Sequence, residues 1–249
     1  MRLTTDIALV GGGPVTGFGL SADFDAHVYL LDGGDECALV DCGMGSPTGV
    51  ERVLSRIEAV GVAHDAVRQL LLTHYHTDHA GGAATYRDRL ALRVSIAADA
   101  RDALERGDHE RTQFAAAKRA GIFAADYEYP PCPVDDGLVD GDVRTVGRLT
   151  VRFLATPGHC AGHGSYLVSG GERTYLLAGD AVFALGRLYL QAIPDCDLGA
   201  SIDSVRRLGE LAFDALLPGH GAIALDGGLG HVQAAVAAFD RLGIPDSVF

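Results

Sequence analysis

Short apolar runs alternate along the chain with glycine turns and with segments whose apolar residues recur at helical spacing. Residues 7–10 form a brief apolar strand ahead of Gly11-Gly12-Gly13-Pro14. Residues 27–31 and 37–40 flank Asp32-Gly33-Gly34-Asp35, a hairpin by its composition. Val50, Val53, Leu54, Ile57 and Val60 mark one face of a helix over 49–60, stopped by Gly61. An apolar strand over 69–73 follows, then a helix from near His79 toward Leu90 and a strand over 93–97. This alternation of strand and helix predicts a layered α/β protein. Residues 99–126 are helical in character, capped at Asp99 and broken at Gly107 and Gly121, and the extended stretch 127–133 returns the chain. Short alternating strands at 144–146, 149–155, 165–168 and 174–177 predict a second sheet. Amphipathic helices over 201–211 and 231–242 supply outer cover.

Composition and charge narrow the class. A chain of 249 residues, 48% hydrophobic and 21% charged, has room for one large α/β domain or two small ones. Its 33 acidic against 20 basic side chains give a formal charge of −13, which repels polyanions. Arg87, Arg89 and Arg93 are interleaved with acidic and apolar residues, so no nucleic-acid partner is expected. The N-terminal residues fit neither a signal peptide nor a membrane span, and no membrane partner is expected either. Cysteines at 37, 42, 132, 160 and 196 are odd in number and form no C-x-x-C pair. They indicate neither a disulfide framework nor a thiolate zinc site, and a reducing cytoplasm is the expected location. Gly11 to Gly13 lack the Walker lysine and the G-x-G-x-x-G spacing of a phosphate loop, so a mobile hairpin tip is expected there.

The chemistry is concentrated in His74-Tyr75-His76-Thr77-Asp78-His79, delivered by an apolar strand and released into Ala80-Gly81-Gly82. A strand end can aim alternate side chains, His74 and His76, at one point, while Asp78 and His79 reach a second a few ångströms away. Imidazole with carboxylate suits zinc, with manganese or iron as competitors. The same pattern of apolar strand, glycine turn and ligand-type residue recurs in Thr156-Pro157-Gly158-His159, Leu176-Leu177-Ala178-Gly179-Asp180 and Leu216-Leu217-Pro218-Gly219-His220-Gly221. Asp41, leaving a strand at Asp41-Cys42-Gly43, is either a plain turn residue or the hydrogen-bond partner of a ligand histidine. His163 either orients a ligand, contacts substrate, or is a buried structural histidine; Arg187 could meet an anionic substrate tail. Residues 98–133 are read as a helical lid over the site, with Tyr129 among its apolar contacts to substrate.

H-x-H-x-D-H, T-P-G-H, G-D and P-G-H-G together resemble the metallo-β-lactamase-fold hydrolase superfamily, over residues 74–220. The resemblance implies a four-layer αββα sandwich, here as one domain over 1–249 with the lid inserted. It implies two divalent cations, zinc first: His74, His76 and His159 holding one, Asp78, His79 and His220 the other, and Asp180 bridging. Asp180 and His220 argue against antibiotic hydrolysis, and His76 argues against the redox diiron branch.

Thr156-Pro157-Gly158-His159-Cys160-Ala161-Gly162-His163 and Gly179-Asp180-Ala181-Val182-Phe183 look most like the glyoxalase II group, with Cys160 in place of the usual Thr. Only 29 residues follow His220, too few for the helical domain with which that group grips glutathione. Acyl-homoserine lactonases carry Tyr where this chain has Phe183, a position expected to touch substrate. The implied reaction is attack by a metal-bridging hydroxide on the carbonyl of a small thioester or ester, or of an acyl group on a carrier, with Asp78 and Asp180 as the catalytic carboxylates. A lactonase and a mononuclear-iron persulfide dioxygenase remain as alternatives, and a homodimer is left open.

Overall fold

In a computed structural model, which describes residues 1–15, 17–22, 24–121, 123 and 126–248, two sheets share one apolar interior. The first sheet holds β1 (Ile7–Gly11), β2 (Val28–Asp32), β3 (Cys37–Val40), β4 (Val67–Leu71), β5 (Arg93–Ala97) and β6 (Asp136–Leu138), in that spatial order. Its first three strands form an antiparallel meander, and β3 to β6 run parallel. The second sheet holds β7 (Val143–Val146), β8 (Leu149–Ala155), β9 (Gly164–Ser169), β10 (Tyr175–Gly179) and β11 (Ala215–Pro218), ordered β11-β10-β9-β8-β7. Only the β10–β11 pair in it is parallel.

Burial explains the two strand patterns. In β8, Leu149, Val151 and Phe153 enter the interior between the sheets while Thr150 is exposed, the period-two signature of a half-covered strand. In β10, Leu177 faces that interior, and its neighbours Leu176 and Ala178 join a second apolar cluster beneath the outer helices. A strand covered on both faces reads as an unbroken apolar run.

Helices α1 (Pro47–Ala59), α2 (Thr77–Ala80), α3 (Ala83–Leu90), α4 (Ala98–Arg106), α5 (Phe114–Arg119), α6 (Leu198–Gly209) and α7 (Gly228–Asp240) complete the described elements. α1, α3 and α4 cover the first sheet, and α6 and α7 pack on each other beside the second. This is the expected αββα order.

Three expectations are revised, and one strand, β6, has no counterpart among them. The single helix from His79 toward Leu90 is split into α2 and α3 at Gly81-Gly82, because the chain there runs hard against its neighbours. A Cβ at residue 82 would lie 2.9 Å from the Cys42 carbonyl oxygen and 3.0 Å from Gly45 Cα. Strand β6 carries no apolar run, and parallel pairing with β5 alone defines it. Gly11 to Gly13 are buried, with Gly12 N donating to Ser21 Oγ and Gly13 N to the Asp25 carbonyl, so the segment is packed rather than an exposed hairpin tip.

The 98–133 lid contracts as well. α4 starts at Ala98 rather than being capped by Asp99, and it buries Ala100, Ala103 and Leu104 against β5 and β6 as part of the outer layer. Of the described residues in 98–133, only α5 and its flanks line the cavity over the site. Residues 122, 124 and 125 of the expected lid lie outside the described residues.

Candidate metal centre

Strand ends from both sheets meet at one edge of the sandwich. β4 runs out into His74 and His76, β8 into His159, β10 into Asp180 and β11 into His220, with Asp78 and His79 on α2. Donor atoms of His74, His76 and His159 lie within 4.8 Å of one another, as do those of Asp78, His79 and His220, and those of His74, His79 and Asp180. Asp180 joins the two triads: its carboxylate lies 3.4 Å from His79 Nε2, 3.6 Å from His159 Nε2 and 3.6 Å from His220 Nε2. All seven residues are brought together, with Asp78 the least covered at 27% side-chain exposure.

Hydrogen bonds behind these rings determine which nitrogens point inward. Asp41 accepts Thr73 N at 2.8 Å, the Thr73 hydroxyl at 2.8 Å and His79 Nδ1 at 2.8 Å. Since the Thr73 hydroxyl donates to Asp41, its oxygen is left to accept from His74 Nδ1, 3.0 Å away. His74 Nε2 therefore carries a bare lone pair, fully buried and without a hydrogen-bond partner. His159 Nδ1 faces the Tyr189 carbonyl at 3.3 Å, which leaves its Nε2 lone pair opposite His76 Nδ1 at 3.0 Å. A buried lone pair such as that of His74 Nε2, with no donor facing it, is costly unless something electropositive approaches it. The residues fit divalent cations for that reason. The positive φ of 58° at Asp41 turns the chain so that its carboxylate reaches three donors, and the orienting role weighed for it is the one the geometry shows.

Electrostatics agree. Burial opposes charge on His79, yet the carboxylates of Asp180, Asp78 and Asp41 hold its pKa well above the ordinary value. Burial likewise opposes charge on Asp180, but His220, His79 and His159 depress it well below the carboxylate range. Asp78 is drawn down to about 2 against its own desolvation by His79 and His220. Three carboxylates around one point call for positive charge there. Burial lowers His74 well below its usual value and takes His76 to about 3, keeping both neutral as ligands must be.

Two glycines of the motifs have specific work. A Cβ at Gly219 would overlap Asp180 Oδ1 and come within 2.6 Å of His79 Cε1, so only hydrogen fits between the two ligands. Gly179 sits at φ 50°, and a Cβ there would lie 2.7 Å from His163 Nε2.

The other expected site residues are not at the cavity. His163 lies beneath the centre: the Asp180 backbone N–H donates to its Nε2 at 3.0 Å, and its Nδ1 faces Thr156 Oγ1 at 2.9 Å. Phe183 is buried behind His220, ring centroids 6.4 Å apart. The chain then turns through Leu185 at φ 64° and sends Arg187 to solvent. Tyr129 is buried with its hydroxyl on the Tyr75 carbonyl at 2.8 Å, where it anchors the segment and does not line the cavity.

Above the centre is a cavity of about 690 Å³. His76, Asp78, His159, Asp180 and His220 form its floor. Gln113, Ala116, Ala117, Ala120, Phe123, Val15, Phe24, Tyr189 and Ile193 are among its walls.

His27, set aside by sequence reasoning, buttresses the His220 turn. Its backbone N–H donates to the Gly219 carbonyl at 2.7 Å and its Nδ1 lies 3.0 Å from the Pro218 carbonyl, which also accepts the Tyr29 hydroxyl. No local signal identifies it, because its partners lie at the far end of the sequence.

Burial holds both His27 and His163 at pKa values of about 3, against 6.5 for an exposed imidazole. Between these values the unfolded chain binds more protons than the folded one, so stability rises with pH across that window and falls on acidification. His79, with its raised pKa in the chelated protein, works in the opposite sense as pH approaches and passes 6.5, where the unfolded chain releases that proton. It offsets only part of the gain from the two neutral histidines. Each neutral histidine contributes up to about 1.4 kcal/mol per pH unit. Chelated protein should therefore unfold at lower urea at about pH 5.5 than at about pH 7, and an unchanged midpoint would contradict this.

Comparison with known proteins places this geometry. The model of the metallo-β-lactamase superfamily matches residues 22–220. A lactamase-like protein from Pestalotiopsis microspora is 26% identical over 79% of the chain and 49% of its own length. An atrochrysone carboxyl ACP thioesterase from Aspergillus fumigatus is 28% identical over 79% of the chain and 51% of its own length. The chain thus spans about half the length of these curated relatives. Among solved structures, a metallo-β-lactamase from Cronobacter sakazakii superposes with a TM-score of 0.73 at 22% identity, covering 97% of this chain and 96% of that one. A metallo-β-lactamase family protein from Thermus thermophilus gives 0.71 at 24% identity, covering 96% and 81%. These structures share the fold. With the family model matching most of its length, the chain belongs to the metallo-β-lactamase superfamily.

Proposed function

We propose that the chain is a hydrolase that uses two divalent cations, zinc first, to cleave acyl thioesters or esters. The observation that carries this reading is the meeting of seven donors, five at strand ends and two on α2, with His74 Nε2, His76 Nε2 and Asp180 Oδ1 buried and unpartnered among them. His74, His76 and His159 would hold one cation, and Asp78, His79 and His220 the other, with Asp180 between. Cations so held supply a water acidic enough to ionise near neutral pH and a Lewis acid for a carbonyl oxygen.

The protein's own residues supply the rest. Asp41 holds His79 in the tautomer that leaves Nε2 free, and Thr73 does the same for His74. His163 fixes the backbone of Asp180. Asp78 is the donor most open to the cavity, so substrate approaches on its side. The α5 wall excludes water from the acyl side of the site.

The thioester reading draws support from the Aspergillus fumigatus relative, named for an acyl-carrier-protein thioesterase, so a carrier-bound acyl group is the leading substrate form. All five cysteines are free thiols. Among the described residues no helix is long and apolar enough to cross a membrane. A panel of acyl thioesters and lactones assayed with and without chelator tests the proposal. Thioester cleavage that disappears on metal removal and returns with zinc is expected; cleavage undiminished in stripped protein would refute it.

A further inference from the structure

The walls of the cavity differ in chemistry from its floor. On α5 and at its C-cap, Ala116, Ala117 and Ala120 recur at helical spacing, so this face of the helix offers methyl groups, with the amide of Gln113 at the N-cap. Phe123, Ile193 and Tyr189 add apolar surface. At the rim, Val15 is 62% and Phe24 37% exposed, apolar side chains held where water reaches them. Exposed apolar groups around a concave site mark a surface that a ligand covers. Among the described lining residues, the carboxylates of Asp78 and Asp180, both at the floor, carry the only formal charge apart from any on the histidines there. A charged group extending along the walls would lose hydration and meet no counter-charge there, only the neutral hydroxyl and amide groups of Thr112, Gln113, Tyr189 and Gln191. At about 690 Å³ the cavity matches a ligand far larger than an acetyl group.

We propose that this cavity selects a bulky, neutral, apolar acyl group, whose size limit is set by the methyl face of α5. The inference rests on the hydrolase reading for the word acyl. The carbonyl lies at the floor, the acyl body lies between α5 and the Ile193 side, and the leaving group points to the open mouth. Small side chains on α5 are then a specificity device: the space above them is substrate space, and any larger residue there occupies it.

Binding of non-hydrolysable ketones separates this proposal from the reading beneath it. The probes are 2-acetylnaphthalene and its carboxylate-bearing analogue 6-acetyl-2-naphthoate, measured by fluorescence titration on the metal-loaded protein and on Ala117→Phe. The neutral probe should bind at least about tenfold tighter than the carboxylate, and A117F should weaken it by about tenfold or more, the scale of filling an apolar pocket. In parallel, the preference for a 2-naphthoyl over an acetyl thioester should fall in A117F. Equal binding of both probes to the wild type overturns the proposal, and that comparison stands even if A117F fails to fold. So does neutral-probe affinity unchanged in a folded A117F. Probe binding as expected with no thioester cleaved would leave the cavity's selectivity standing and overturn the hydrolase reading instead.

Discussion

Asp180→Ala should lower kcat/KM by about 10³-fold or more, the scale expected when charge stabilisation at a reacting centre is lost. The reason is geometric. Its carboxylate lies within 3.6 Å of nitrogens from both histidine triads, so one substitution removes a donor from each. It also removes a negative charge that offsets the cations, so metal content should fall together with activity. Replacing an outer support such as His163 would disturb its contacts to the Asp180 backbone and Thr156 without removing a donor, and should cost far less. Steady-state kinetics with elemental analysis on the same preparation reads both effects. Retention of full metal and near-normal activity in Asp180→Ala would show that the carboxylate is not a shared ligand.

Gly219→Ala is expected to be almost as damaging although it alters no donor. The added methyl would overlap Asp180 Oδ1 and approach His79 Cε1 to 2.6 Å, with the backbone pinned by Gly219 N donating to the Gly179 carbonyl and by its own carbonyl accepting His27 N. The ligands must then move apart, and a displacement of about 1 Å at a catalytic centre is enough for a loss of about 10²-fold. The variant should fold, with near-wild-type circular dichroism, while zinc affinity and kcat/KM both fall. Unaltered zinc affinity would mean that the turn has slack the geometry does not show.

These cases also indicate what the sequence made legible. The seven donors could be read because each follows an apolar strand and a glycine turn, a local pattern that survives without knowing where strands lie. Their supports could not be read in the same way. Asp41 was evenly balanced between two roles because the deciding bond, to His79 Nδ1, joins residues 38 apart in sequence. His27 acts on Pro218 across 191 positions. Phe183 and Arg187 follow Asp180 closely, and proximity in sequence favours a substrate role. The left-handed turn at Leu185 instead directs Arg187 outward.

The fold followed the same rule. Strands with apolar runs or clean alternation were evident, while β6, three residues of Asp-Gly-Leu, exists only because β5 offers an edge. The lid was legible as helical but not in extent. α4 and α5 are both alanine-rich, and tertiary packing assigns one to the outer layer and the other to the cavity.

The central claim is that two cations are held by donors from both sheets, and metal stoichiometry tests it most directly. Wild type, His74→Ala and His220→Ala would each be equilibrated with zinc, freed of excess, and analysed for bound metal per chain. The account predicts two in the wild type and the loss of at least one in each variant. Wild-type protein that retains no metal, or variants that retain as much as the wild type, would contradict it.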